Sequence, residues 1–178
     1  EDLVIGGGCE MMSIYGEEGS APSMFMDNDN LTLRAMHPQP HQGVCADAIA
    51  TMEGITREAL DRQAFETQQK AARAIAEGRF DNSLVPVHDV SGELVLDKEQ
   101  FPRPQTTLEA LAELQPAFAP IADYPLDDAG TTYRKLLNQK YPDVDIQHCH
   151  HAGNSSGVVD GAGALLLASP AYAKAHGM

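Results

Sequence analysis

Nowhere does the chain hold a run of about 18 apolar residues, so no stretch of it reads as a membrane-spanning helix. Its opening, Glu1-Asp2-Leu3-Val4-Ile5-Gly6-Gly7-Gly8, has no initiator methionine, no basic first segment and no cleavage site, which excludes a secretory signal there. Cysteine is scarce: Cys9, Cys45 and Cys149, an odd number at irregular spacing, form no disulfide framework and fit a reducing cytoplasm. Basic residues are also few. Twelve Lys and Arg face 26 Asp and Glu, a formal charge of -14, which argues against nucleic acid or an anionic membrane as a general partner. A ligand carrying phosphates would need a local basic patch against that background. One further signal is missing: no Lys-Ser/Thr pair follows Gly6-Gly7-Gly8 to make it a phosphate loop.

What is present fits a globular protein. With 178 residues, 43% hydrophobic and 21% charged, the chain can build one domain with a sizeable core. Leu3 to Ile5, entering the glycine run, reads as a short buried strand, with Cys9 just after it as a buried structural thiol. Residues 14–40 show no clear period and hold Met24, Phe25, Met26 and Met36, which either wall an apolar pocket or pack beneath a long loop. Val44, Ala48, Ile49 and Met52 recur at helical spacing up to Gly54. Thr56 caps a second helix carrying Leu60, Ala64, Ala71 and Ile75 on one face and ending at Gly78, its Gln63, Gln68, Gln69, Lys70 and Arg73 forming a solvated side. Leu84 to Val90 and Leu94 to Leu96 flank the turn Ser91-Gly92-Glu93 as a strand pair, with Pro86 marking an edge or bulge. Thr106-Thr107-Leu108-Glu109 reads as a capping box before a helix with Leu108, Leu111 and Leu114, and a short helix is expected around Thr131 to Asn138. Ala164 to Ala168 reads as a buried strand, followed by a helix capped by Ser169 with Pro170 in its first turn and ending at Gly177.

The least ordinary stretch is His151 to Gly161. Gly153, Gly157 and Gly161 let backbone pass close to something else, and Asn154, Ser155, Ser156 and Asp160 offer small polar groups. Such a turn opening a buried helix would suit a carbonyl, an amide chain or a phosphate; on composition alone a tight loop between buried elements is the simpler account. His148-Cys149-His150-His151 just before it invites a metal. On a strand only alternate members share a face, however, and no second ligand pair follows, so no metal is expected and His151 is placed beside the signature as a channel residue.

Ala152-Gly153-Asn154-Ser155-Ser156-Gly157, followed by Asp160-Gly161-Ala162, resembles the thiolase signature. Five further segments agree in order: Gly7-Gly8-Cys9-Glu10-Met11-Met12-Ser13; Ile55-Thr56-Arg57-Glu58; Gly78-Arg79-Phe80 with Val85-Pro86-Val87; Arg103-Pro104-Gln105-Thr106-Thr107-Leu108; and Pro116-Ala117-Phe118. In wording they are most similar to the thiolase beta subunits of fatty-acid trifunctional enzymes. The resemblance implies an α/β fold fragment: a helix-rich, irregular loop domain flanked by short strands of the layered thiolase core. Residues 1–13 would close the first core half, 14–150 form the loop domain with an insertion at about 120–145, and 151–178 carry the coenzyme A signature and return to the core. The family's nucleophilic cysteine motif, and its second cysteine and histidine, match nothing in this chain, so no catalytic residue is assigned and the fragment alone is expected to be inactive.

For the whole enzyme the resemblance implies acyl transfer between a thioester and coenzyme A, with this segment binding coenzyme A and shaping the acyl pocket. It assigns His41 to the pantetheine and acyl end, Arg103 to the adenine and phosphate end, Ala110, Ala117 and Phe118 to the groove between, and Ser156 with the backbone of Ala152 and Gly153 to the pantetheine amides. A surface Arg103 paired with Asp97 or Glu99 is the plain alternative. Implied partners are acyl-CoA and CoA, a second copy in a dimer or tetramer, and the alpha subunit of a trifunctional enzyme. A non-catalytic CoA or acyl-binding module, or an assembly fragment, are the rival readings.

Overall fold

The computed structural model describes residues 2–16, 25 and 27–178. In chain order the elements are β1 (Leu3–Met11), a 3-10 turn (Met12–Gly16), α1 (Leu31–Met36), α2 (Gln42–Glu53), α3 (Arg57–Ala76), β2 (Val87–His88), β3 (Leu94–Leu96), α4 (Leu108–Ala112), α5 (Ala119–Ala122), α6 (Tyr133–Asn138), β4 (Asp160–Ala168) and α7 (Pro170–His176). Met24 and Met26 lie outside the described residues. Helix and strand are mixed, as expected of an α/β chain. The chain divides into two compact units, residues 1–22 with 158–178, and residues 23–157. The second boundary falls after the small-residue signature instead of before it, because His151 and Asn154 are hydrogen-bonded to Asp61 within the second unit.

The first unit is an antiparallel pair of nine-residue strands, β1 and β4, in register from Leu3 opposite Ala168 to Met11 opposite Asp160. The glycine run is therefore strand, not loop. Gly7 lies close against the partner, since a Cβ there would sit 2.9 Å from Gly163 O. Asp160 closes the open end by accepting from Ser13 N–H and Oγ–H at 2.8 and 2.7 Å, and Asp2 accepts from Ser169 at the other. Both strands were expected to be short and buried; both are long and exposed, Ile5 at 73% and Leu165 at 71%, because a two-stranded ribbon covers neither of its own faces. Cys9, expected to be buried, is exposed for the same reason. Ser169 caps α7 with Pro170 at its first position, and Gly177 ends it at φ 65°, as the sequence indicates.

The second unit packs helices around one apolar cluster: Phe25, Val44, Ala48, Ala122, Tyr133, Leu136, Leu137 and Ile146, with Phe118 and Ile121 against it. Most of this core comes from residues 122–146, a stretch that nearly coincides with the insertion read at about 120–145. Tyr133, Leu136 and Leu137 fall at i, i+3 and i+4 on α6, whose Thr132 cap accepts from Lys135 N–H. α2 ends at Gly54 in the left-handed conformation and α3 starts from Thr56, both as read. α4 starts one residue later than its capping box suggests: Thr107 is the cap, and Thr106 Oγ instead donates to Arg103 O. The β2–β3 pair is only two and three residues long, with an irregular register, consistent with Pro86 beside it.

Asp47 on α2 is fully buried and organises the segment after α6. Its two oxygens accept from His148 Nδ1, His150 Nδ1, and the backbone N–H of Cys149 and His150, at 2.7–3.1 Å. His148 Nε2 faces the Arg134 guanidinium at 3.2 Å; arginine only donates, so the ring is held as the neutral Nδ1–H tautomer. Burial opposes the charge on Asp47, but the donors from His148, His150 and Cys149 outweigh it and hold the carboxyl below the ordinary carboxylate range.

Asp47→Ala strands four buried or half-buried donors and is expected to cost roughly 3 kcal/mol in urea unfolding, and a loss under about 1 kcal/mol would contradict the role given to this carboxylate. Because the folded carboxyl titrates below its unfolded value of about 3.9, its stabilisation is full above that pH and disappears as pH falls through the lower folded value. Asp47→Asn should therefore flatten the acid limb of a stability-against-pH curve below about pH 4 and leave its neutral limb parallel to the parent's.

Candidate functional site

α3 carries three polar side chains on one face: Arg57, Asp61 and Gln68, at i, i+4 and i+11. Each binds a different neighbouring segment. Gln68 Oε1 accepts from Arg103 N–H at 2.6 Å, and Gln69 Nε2 donates to Pro104 O at 2.9 Å, so the two glutamines read as solvated are a mount for the Arg103 loop. Asp61 Oδ1 accepts from His151 Nε2 at 2.8 Å and from Asn154 Nδ2 at 3.0 Å. Arg57 donates through Nε to Asp61 and through Nη2 to the carbonyls of Leu111 and Leu114.

Between these segments lies a groove of about 220 Å³ lined by Gln68, Phe101, Arg103, Thr106, Ala110, Leu111, Leu114, Ala152, Gly153 and Ser155. Four residues singled out in the sequence, Arg103, Ala110, Ala152 and Gly153, thus meet around one opening. Arg103 has no carboxylate partner among the described residues, which removes the pairing with Asp97 or Glu99; its guanidinium instead lies 5.6 Å from the Phe101 ring centre. An exposed, unpaired guanidinium on an aromatic face is chemically ready for a phosphate or a flat base. Ser156 is exposed and outside this lining; Ser155 takes the place in the groove.

The remaining three candidates gather separately. His41 caps α2, its Nδ1 accepting from Gly43 N–H at 3.1 Å, and its ring lies 5.5 Å from Phe118 and 5.6 Å from Tyr133. Burial pushes the His41 imidazole below its ordinary pKa, and with Nδ1 accepting, the neutral ring keeps its proton on Nε2. Phe118 presses on Gly43, where a Cβ would clash with the ring. Ala117 is exposed, and its N–H donates to His150 O at 2.9 Å.

The signature itself opens no helix; it runs into β4. Its polarity is largely internal. His151 is 1% exposed, with Nδ1 accepting from Gly153 N–H and Nε2 donating to Asp61, so it braces the loop from behind and does not line the groove. Burial again opposes the Asp61 charge, and Arg57, His151 and Asn154 overcome it, so this carboxyl too sits below its ordinary value.

Asp47, Cys149 and His150 place three ligand atoms within 4.8 Å of one another. The His150 Nδ1 to Asp47 separation of 2.7 Å is a hydrogen-bond length, well inside the N···O edge of a tetrahedral zinc site, which is ~3.3 Å from the usual bond lengths. Burial, with Asp47 beside it, pushes the Cys149 thiol up to about 11, so at neutral pH it is the protonated thiol.

Sequence reasoning missed Phe101, Ser155, Gln68, and the Arg57–Asp61 pair. The i, i+4 spacing of that pair was legible; its use was not, since its other partners lie about 50 and 90 positions away.

A family model described as the thiolase N-terminal domain matches residues 1–121. The chain is 34% identical to a 3-ketoacyl-CoA thiolase of Stutzerimonas stutzeri over 99% of its own length and 38% of that protein. It is 34% identical to an acetyl-CoA acetyltransferase of Escherichia coli over 98% and 41%, and 33% identical to the human peroxisomal 3-ketoacyl-CoA thiolase over 99% and 37%. The crystal structure of human mitochondrial 3-ketoacyl-CoA thiolase in complex with CoA superposes with a TM-score of 0.61 at 27% identity, over 99% of this chain and 40% of that one. The chain spans about two-fifths of the length of the curated relatives it matches. No helix among the described residues is long and apolar enough to cross a membrane. With the thiolase N-terminal-domain match covering more than half of its residues, the chain belongs to the thiolase family.

Proposed function

We propose that this chain supplies the coenzyme A-binding part of an acyl-CoA acyltransferase, which moves an acyl group between a 3-ketoacyl or acetyl thioester and coenzyme A. The observation that carries this is the groove in which Arg103, Ala110, Ala152 and Gly153 converge from three separate segments. Against a net charge of -14, Arg103 is a cation with no carboxylate partner among the described residues, set on an aromatic ring in an otherwise uncharged lining. That is where an anionic nucleotide end would be held. The small side chains of Ala110, Ala152 and Gly153 leave room for a narrow chain such as pantetheine, and Ser155, with Ser156 beside it, offers hydroxyls to its amides. His41, with its proton on Nε2, and Phe118 would meet the pantetheine and acyl end.

Metal plays no part in this reading, and the cytoplasmic placement read from the cysteines stays with it as a proposal. So do assembly as a dimer or tetramer and a trifunctional-enzyme alpha subunit as partner. The exposed apolar strands β1 and β4 favour a second reading for the first unit, as a surface that packs on further protein.

Isothermal titration with coenzyme A and with pantetheine separates the two ends. Arg103→Ala is expected to weaken coenzyme A about tenfold, the worth of one charged hydrogen bond, and pantetheine less than twofold. Equal losses for both ligands, or none for either, would remove Arg103 from the nucleotide site. Ser155→Ala and Ser156→Ala, measured with pantetheine, show which hydroxyl faces the ligand; the groove lining predicts the larger loss for Ser155.

A further inference from the structure

We propose that the Arg57–Asp61 ion pair is a positioning device that sets the spacing between the two walls of the groove. One wall is the end of α4, with Ala110, Leu111 and Leu114; the other is the loop with Ala152, Gly153 and Ser155. The inference rests on the groove being the ligand site, and adds what holds it open to the right width.

The two walls belong to segments some forty residues apart in sequence. Among the described residues they are hydrogen-bonded to each other directly at one point, Ala117 N–H to His150 O. Their other hydrogen-bonded connection runs through the ion pair. Arg57 Nη2 reaches Leu111 O at 2.7 Å, beside the N–H groups of Glu113 and Leu114 that this carbonyl also accepts from, and Leu114 O just past the helix end at 2.9 Å. Arg57 Nε holds Asp61 Oδ2 at 2.8 Å, and Asp61 Oδ1 holds His151 and Asn154. His151 in turn accepts from Gly153 N–H, and Asn154 Oδ1 accepts from His151 N–H, so the loop backbone is fixed from the carboxylate outward. Each oxygen of Asp61 thereby addresses one wall.

The tolerance is small. A methyl group at Gly153 would sit 2.5 Å from Leu111 Cδ2 and 2.8 Å from Leu114 Cδ1, so the walls already touch at their base and any shift of either carbonyl is passed to the opening. A planar guanidinium can hold two carbonyls and a carboxylate at once; an ammonium at the end of a flexible stem cannot. A general stabilising role would not distinguish the two cations.

Amide hydrogen exchange on the full chain without ligand reads each wall by itself. Arg57→Gln is expected to raise exchange at least tenfold both in residues 111–114 and in residues 151–154. Arg57→Lys, which keeps an i, i+4 charge for Asp61 but not the fork, should restore residues 151–154 and leave residues 111–114 fast. Arg79→Gln, which breaks a separate exposed pair with Glu77, should leave both walls at parental rates. Coenzyme A titration should weaken about tenfold for Arg57→Gln and by less for Arg57→Lys. Acceleration confined to one wall in Arg57→Gln, equal recovery of both walls in Arg57→Lys, or unchanged coenzyme A binding in Arg57→Gln overturns the proposal. If Arg57→Gln does not fold, the split between the walls in Arg57→Lys decides alone. If the parent chain binds no coenzyme A while exchange divides as expected, the clamp stands and only the ligand assignment falls.

Discussion

Two carboxylates buried on successive helices govern the second unit. Asp47 on α2 and Asp61 on α3 are almost wholly removed from water, and each must be met by several donors or the charge could not be kept. Apart from Arg57 on α3 itself, the donors come from one short segment without regular structure: His148, Cys149 and His150 for the first, His151 and Asn154 for the second. A stretch with no ladder and no helical bonds of its own is thereby fixed as firmly as an element would be. Its path from α2 to α3 is dictated by the order in which its donors meet the two carboxylates. The rest of the site follows from where that leaves Ala152 and Gly153.

This also gives a hydrogen-bonding role to each of the three histidines that stand together. Four consecutive residues, His148 to His151, address two different carboxylates, with the change of partner falling between His150 and His151. His148 is held between an acceptor-only carboxylate and a donor-only guanidinium, and His151 between a carboxylate and a backbone N–H. Such sandwiches select one neutral tautomer each, and they use both ring nitrogens in doing so. A run that reads as metal-ligating in sequence is here a run of hydrogen-bond donors.

The parts legible in the sequence are those with local causes. Thr56, Gly54, Ser169-Pro170 and Gly177 mark helix ends because caps act over three or four residues, and each stands where it was read. Four of the eight candidate site residues meet in one groove because the resemblance carried long-range information that spacing alone does not. What was hidden has a different origin. Gly6-Gly7-Gly8 hides a strand, since a glycine run carries no alternation to announce one. The burial of β1 and β4 was inferred from their apolar character, yet burial depends on what covers a ribbon and not on its own side chains. Gln68 and Gln69 pass for surface because their partners are backbone atoms 35 positions away, which leave no pattern in a helix face.

The signature glycines bear on how such a groove keeps its shape. None of Gly153, Gly157 and Gly161 has a positive φ, so their role is not the conformational freedom for which loop glycines are usually invoked. Gly153 lies against Leu111 and Leu114, and Gly157 against the Phe101 ring, where a Cβ would clash. Both approaches are to the groove's own walls. The missing side chains therefore let the loop backbone close directly on the Leu111 and Leu114 side chains and on the Phe101 ring, so that close packing of these groups sets the opening's width. A groove built in this way is selective by fit before any polar contact is made. The ion pair beneath it and the glycines facing it are two halves of one constraint, the first preventing the walls from parting and the second allowing them to come close.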